Sequence, residues 1–254
     1  MGSLKTLHIA PEGHPRDATS HAPPGLSAAF DEPNLVSCAG LAPVLALGQR
    51  CGLASLVGST LTLKAAGGVH ASLKVPALIG GMVAGADSID DMDLLRHGGM
   101  HRLFIGVRAP STLGTFLRSF TFGHVRQLDA VAARFLARLA RATPLLPGAD
   151  QVAYVDLDDT VGQVHGYAKQ GVGFGYSGVK GLNALIATVS TPTAAPVIAA
   201  TRLRRGSVNS ARGAARLVAD ALVTARACGA GGPTSAGLVL LRADSAFFTY
   251  DTLA

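Results

Sequence analysis

The residues best placed to do chemistry lie in the stretch Val155-Asp156-Leu157-Asp158-Asp159-Thr160. It continues the apolar run from Val152 and reads as the end of a β-strand. Asp156 and Asp158 are two residues apart, so on a strand both carboxylates project to the same side. Like charges gathered at the end of an apolar strand are unfavourable unless something cationic neutralises them. A hard divalent ion such as Mg2+, which takes oxygen ligands, is the natural partner. Asp244 repeats the pattern, because Leu238-Val239-Leu240-Leu241 runs through Arg242 and Ala243 into a single acid. If the two strands are neighbours and end at the same edge of one sheet, Asp158 and Asp244 come together. Such a pair can hold two metal ions about 3.5–4 Å apart and act on a phosphodiester. The plain alternative is a solvated acidic turn.

Other patterns carry less. Gly173-Phe174-Gly175-Tyr176-Ser177-Gly178 spells GxGxxG, but a strand-like segment follows it where a dinucleotide site needs a helix. His97 and His101 are four apart with Gly98 and Gly99 between them, which suits a structural role better than a metal pair. GxSxG and GxxxxGK[ST] do not occur, so serine-hydrolase and P-loop readings find no support.

The elements that must position these acids fall into two textures. Residues 1–33, rich in His, Pro, Gly and Ser and without periodicity, read as a flexible arm. Residues 34–147 read as mostly helical. Leu53, Leu56 and Val57 fit one helical face, and Leu78, Ile79, Met82 and Val83 another. Asp87 to Asp91 forms an acidic helix start, Ser111 opens a short helix, and the clearest helix runs from about His124 to Arg141. Pro144, Pro147 and Gly148 then break the chain. Residues 148–254 read as strands at Val152–Leu157, Val164–Ala168 and Leu182–Val189, a helix from Asn209 closed by Gly229, and a last strand at Leu238–Leu241. That order predicts an α/β class.

Composition narrows the partners. Of the 254 residues 48% are hydrophobic and 15% charged, enough apolar surface for a true core. Cys38, Cys51 and Cys228 form no CxxC and no paired framework, which suits a reducing, cytoplasmic setting. The run from Gly181 to Thr201 is uncharged, but Pro192 and Pro196 interrupt it, so no membrane span is expected. Net charge is +6, and Lys and Arg outnumber Asp and Glu by 13 to 8 in residues 124–254 against 9 to 8 before them. An anionic partner would meet the second half. Arg134, Arg138 and Arg141 recur on one helical face, and Arg202, Arg204 and Arg205 cluster after the third strand. Both groups are candidate phosphate contacts, with a solvated face as the ordinary alternative.

From about residue 30 onward the chain resembles bacterial insertion-sequence transposases of the DDE type, whose catalytic core is RNase H-like. The resemblance rests on Asp31-Glu32-Pro33-Asn34-Leu35, Pro110 to Arg118, and Asp156 to Thr160 followed by Gly166-Tyr167 and Lys169-Gln170-Gly171. It continues through Gly175-Tyr176 with Lys180-Gly181, Arg204 to Asn209, and Arg242 to Phe247. It implies a helical, DNA-gripping region followed by a partial RNase H-like mixed sheet with a flanking helix over 148–254. By position Asp158 matches the first metal-binding carboxylate and Asp244 the second, with Asp156 in reserve for the first. It also implies Mg2+ or Mn2+ as cofactor, transposon-end double-stranded DNA as partner, and self-association to hold two ends. Its third carboxylate is a Glu downstream of the second Asp. The only glutamates here are Glu12 and Glu32, so the chain as given is expected to be an inactive fragment of such an enzyme.

Two competing readings stand beside it. Asp156 to Thr160 also fits the DxDxT motif of haloacid-dehalogenase-like phosphatases, with Asp156 as nucleophile and Asp158 as acid/base. A non-catalytic DNA-binding remnant is the other.

Overall fold

The computed structural model describes residues 32–63, 68–165, 169–175, 178–234, 236–247, 249 and 252. The predicted arm up to Asp31, Gly166-Tyr167, Tyr176 and Asp251 lie outside the described residues. The chain is mixed α/β, with six α-helices and a five-stranded mixed sheet among the described residues. No single helix is long and apolar enough to cross a membrane, although one pair, Leu41–Arg50 with Leu53–Thr60, passes on length and composition while bent by 53°.

The helical part comprises α1 (Leu41–Arg50), α2 (Leu53–Thr60), α3 (Ala71–Val83), α4 (Pro110–Arg118) and α5 (Phe122–Ala142). Its core gathers Val57, Leu95, Met100, Leu113 and Phe116, all essentially without solvent contact. Pro110 occupies the first turn of α4, where its missing N–H costs nothing. In α5, Thr121 caps the helix and the His124 Nδ1 accepts the Thr121 N–H in return at 3.1 Å. Leu53, Leu56 and Val57 are buried as their spacing predicts. α3 departs from expectation. It buries Val75, Ala77, Leu78, Gly80 and Gly81, while Ile79, Met82 and Val83 face outward. The end of the Met92 side chain packs directly on Gly81, so a larger residue there would have to displace it. The expected helix at Asp87 begins at Asp90 and is a 3₁₀ turn, Asp90–Leu95.

The sheet comprises β1 (Val152–Gln163), β2 (Gly173–Phe174), β3 (Lys180–Thr191), β4 (Ala194–Arg205) and β5 (Leu238–Ala243), with α6 (Ala214–Ala227) between β4 and β5. β3 pairs antiparallel with β1 on one side and with β4 on the other, and β2 pairs the first residues of β3. β5 lies parallel to β1 on its free side, from Val152 opposite Leu238 to Leu157 opposite Ala243. Three strand assignments need correction. β1 does not end at Leu157 but runs on to Gln163, so Asp156 to Thr160 lie within the strand. Val164 and His165 are not in a strand, and the second strand is the two-residue β2. Ala194–Arg205, where no strand is expected, is a full strand. Its Pro196 is tolerated because β4 has a neighbour only on its β3 side. The helix expected from Asn209 starts at Ala214.

One face of the sheet carries Ala153, Val155 and Leu157 of β1 and Leu185, Ala187 and Val189 of β3. They pack against Ala214, Leu217, Ala221 and Ala225 of α6. The alanines let the helix lie close to the strands. The opposite face is open among the described residues, with Ile198, Leu203, Leu238 and Leu240 exposed.

Leu217 is fully buried on α6, whereas Val223 on the same helix is 69% exposed. Leu217→Ala should therefore lower unfolding free energy by about 2–5 kcal/mol. Val223→Ala should change it by no more than about 0.5 kcal/mol in the same urea titration.

Candidate functional site

β1 alternates through its whole length, so Val155 and Leu157 enter the core while Tyr154, Asp156 and Asp158 project from the open face. Parallel pairing sets Asp156 opposite Arg242 and Leu157 opposite Ala243. The pairing stops there: Asp158 continues along β1, and Asp244 is the first residue after β5. Both carboxylates are exposed, and among the described residues neither makes an ion pair. Each accepts a nearby backbone N–H, Asp158 from Asp159 at 2.7 Å and Asp244 from Ala246 at 3.0 Å. These bonds orient the two side chains, Asp158 within β1 and Asp244 just past the end of β5, and leave lone pairs for a cation.

Asp156 is placed differently. Arg242 donates to both its oxygens, at 2.6 and 2.8 Å, and the guanidinium stacks over the Tyr154 ring at 4.3 Å. This pairing holds the already very basic guanidinium protonated still more firmly. Asp156 shares the face with Asp158, but both its oxygens are engaged. The same geometry occupies the group that a DxDxT phosphatase would need as its nucleophile. Among the described residues no cluster of three or more His, Cys, Asp or Glu side chains is arranged to hold a metal. The two free acids are hard oxygen donors of the kind Mg2+ or Mn2+ takes, and the donor set fits such an ion as a partial site.

The arginines divide sharply. Arg205 is exposed at the end of β4. Arg202 bridges to Asp220 of α6 at 3.4 Å. Arg204 corrects the expectation of a phosphate contact, since its side chain is 6% exposed and its donors are spent inside the protein. It bonds the carboxylate of Asp159 at 2.8 Å, the amide oxygen of Asn183, and the carbonyls of Asn209, Ser210 and Arg212. Burial lowers its pKa, against the pull of Asp159. Asn183 also donates to Asp159 at 2.8 Å, so β1, β3, β4 and the 206–213 loop share one polar knot. The hint was in the sequence. Asp159 has the parity of the buried residues Val155 and Leu157, so its charge had to be answered from within.

On α5, Arg134, Arg138 and Arg141 are exposed on one side, but two of them serve the fold. Arg134 donates to the Thr60 hydroxyl at 3.1 Å and Arg138 to the Cys51 carbonyl at 3.4 Å, fastening both ends of α2. A second network, invisible to spacing arguments, joins the helical part to the sheet. Arg126 bonds Asp129 at 2.7 Å and Asp220 at 3.2 Å, and Thr201 donates to Asp129 at 2.8 Å. Burial raises the Asp129 pKa, while Thr201 and Arg126 pull it down.

No protein-family model, no curated protein and no solved structure matches this chain.

Removing one partner of a buried pair leaves the other charge uncompensated. Arg204→Ala should therefore cost about 3–5 kcal/mol of unfolding free energy. Arg205→Ala, one residue away and exposed, should stay within about 0.5 kcal/mol in the same denaturant series.

Proposed function

We propose that residues 148–254 form part of an RNase H-like, DDE-type transposase core, and that the chain acts on transposon-end DNA with Mg2+ or Mn2+ as cofactor. One observation carries this reading. β5 is parallel to β1 and paired up to Leu157 opposite Ala243, so Asp158 and Asp244 are the residues that directly follow the last pair. The strand order supports it as well: apart from the two-residue β2, three long antiparallel strands precede α6 and a last strand parallel to the first, and an RNase H-like core likewise sets its first and fourth strands side by side.

In this reading Asp158 and Asp244 hold the metal. A bound divalent ion would polarise a phosphodiester and lower the pKa of a water nucleophile. Asp156 stays with Arg242 and shapes the site from beside it. Arg205 and Arg141 are the exposed candidates for phosphate contact, with the outer faces of Arg134 and Arg138 joining them. The chain has no glutamate after Glu32, so this part of the proposal is cation and DNA binding without strand cleavage by the chain as given. Self-association and a cytoplasmic location belong to the same reading.

The experiment is an EPR titration of Mn2+, which reports free ion directly. Wild type should deplete the free-ion signal, and Asp158→Asn or Asp244→Asn should each weaken that binding about tenfold or more, as expected when one of two carboxylate ligands is lost. Asp156→Asn should bind almost as wild type does. Equal Mn2+ binding by wild type and the Asp158→Asn/Asp244→Asn double variant would remove the reading.

A further inference from the structure

Between the start of α5 and the end of β4 runs a groove of about 1160 Å³. Its lining combines four features rarely found together by accident. Among the described residues it contains Arg202, Arg204, Arg205 and Arg212 and not one Asp or Glu. Two helices begin at it, α5 after Thr121 and α6 after Gly213, and neither has an acid in its first turn. Gly213 has no side chain with which to cap α6; the Ala214 N–H is taken by the Ala211 carbonyl at 3.0 Å, which leaves those of Ala215 and Arg216 for an external acceptor. Finally, Phe122 stands in the groove wall with 67% of its surface exposed, as much as Phe174 of β2 but here beside the arginines.

The four arginines have different parts. Arg204 is committed to Asp159, Asn183 and the loop carbonyls, so its role is to hold Arg212 and Gly213 where they are. Arg202 leans on Asp220, yet its Nε–H is buried without an acceptor. Arg205 and Arg212 are exposed and make no ion pair among the described residues. The loop that carries Arg212 is further pinned at Gly206, whose backbone lies so close to the carbonyls of Gly173 and Gly181 that no Cβ would fit. The groove is therefore a fixed, cationic trough with an aromatic ring on its wall.

Phosphate alone would explain the arginines and the helix ends, but not an exposed phenylalanine. A paired duplex would not use the ring either, because its bases are already stacked. An unpaired nucleotide uses both, with its phosphate at Arg205, Arg212 and the start of α6 and its base against Phe122. We propose that this groove binds an unpaired nucleotide of a DNA strand, next to the duplex. The proposal rests on the DNA-binding reading above, and deepens it by assigning single-stranded character to one part of the substrate.

The test is a fluorescence-anisotropy titration of the full chain with two DNAs of equal duplex length, one blunt and one with a short 5′ overhang bearing 2-aminopurine. Wild type should bind the overhang DNA more tightly and quench the 2-aminopurine. Phe122→Ala should lower affinity for the overhang DNA about tenfold, in line with the loss of one base–aromatic stack, and abolish the quench. The same variant should leave blunt-duplex binding unchanged, and Phe122→Tyr should restore the preference. Arg205→Ala and Arg212→Ala should weaken overhang binding while leaving some quench. Equal affinity for the two DNAs with no quench overturns the proposal and leaves the DNA reading standing. Tighter binding of free dAMP than of the overhang overturns it in favour of a mononucleotide pocket. Absence of binding to either DNA at low salt overturns this proposal and the DNA reading together.

Discussion

A parallel strand cannot be reached by a tight turn, so the chain leaving β4 has to cross the sheet as α6 before β5 can pair with β1. That crossover is the constraint on which the rest of the structure depends. It obliges α6 to bury one side, which it does with Ala214, Leu217, Val218, Ala221 and Ala225. It fixes where β5 starts, because Gly237 meets the Asp150 carbonyl too closely for any side chain and Leu238 donates to the Gln151 carbonyl at 2.8 Å. With the start fixed, the pairing runs to Leu157 opposite Ala243, the residues directly before Asp158 and Asp244. The chemistry proposed for these acids is thus set by packing some way from them.

The opposite end of the same sheet is governed by charge. Arg204 enters the layer that elsewhere holds alanine, valine and leucine, and its burial is tolerated because every face of the guanidinium finds an acceptor. Replacement by a well-packed apolar side chain could leave the sheet as stable, but it would free the 206–213 loop. The cost of a buried ion pair is then best understood as the cost of holding that loop, and with it Gly213 and Arg212, against the end of β4. The Arg126–Asp129–Asp220 network does the corresponding work between α5 and the sheet, joining two parts whose apolar cores are separate.

Much of the architecture was legible because it rests on local pattern. The apolar stripe of α5, the run into Asp156 and Asp158, and the four apolar residues of β5 each announce themselves over a few residues. β4 did not, because Pro196 and three arginines mask the alternation that an edge strand needs only on one side. The face of α3 was misread because its neighbours select glycine and alanine over the larger residues that hydrophobicity favours. The two acids of the candidate site were visible as carboxylates following apolar runs, but the continuation of β1 past Asp158 to Gln163 was not, because Asp158, Asp159 and Thr160 hide the strand pattern. The pairing of Asp156 with Arg242 was not, since 86 residues separate partners that meet only through the β1–β5 register. Among the arginines, sequence offered charge and spacing; only burial distinguishes Arg204, which holds the fold, from Arg205, which faces solvent.

The central claim is that β5 ends beside β1 with Asp158 and Asp244 adjacent, and disulfide trapping measures this directly. Cysteines would replace Asp158 and Asp244 in a background whose Cys38, Cys51 and Cys228 are changed to alanine. A second protein would carry cysteines at Asp156 and Arg242, the pair whose side chains are in contact. Both should cross-link under mild oxidation, since a bridge forms readily only when Cα atoms lie about 4.4–6.8 Å apart. Cross-linking of the 156/242 pair with none at 158/244 would show that β5 leaves the sheet before Asp244 and would contradict the account.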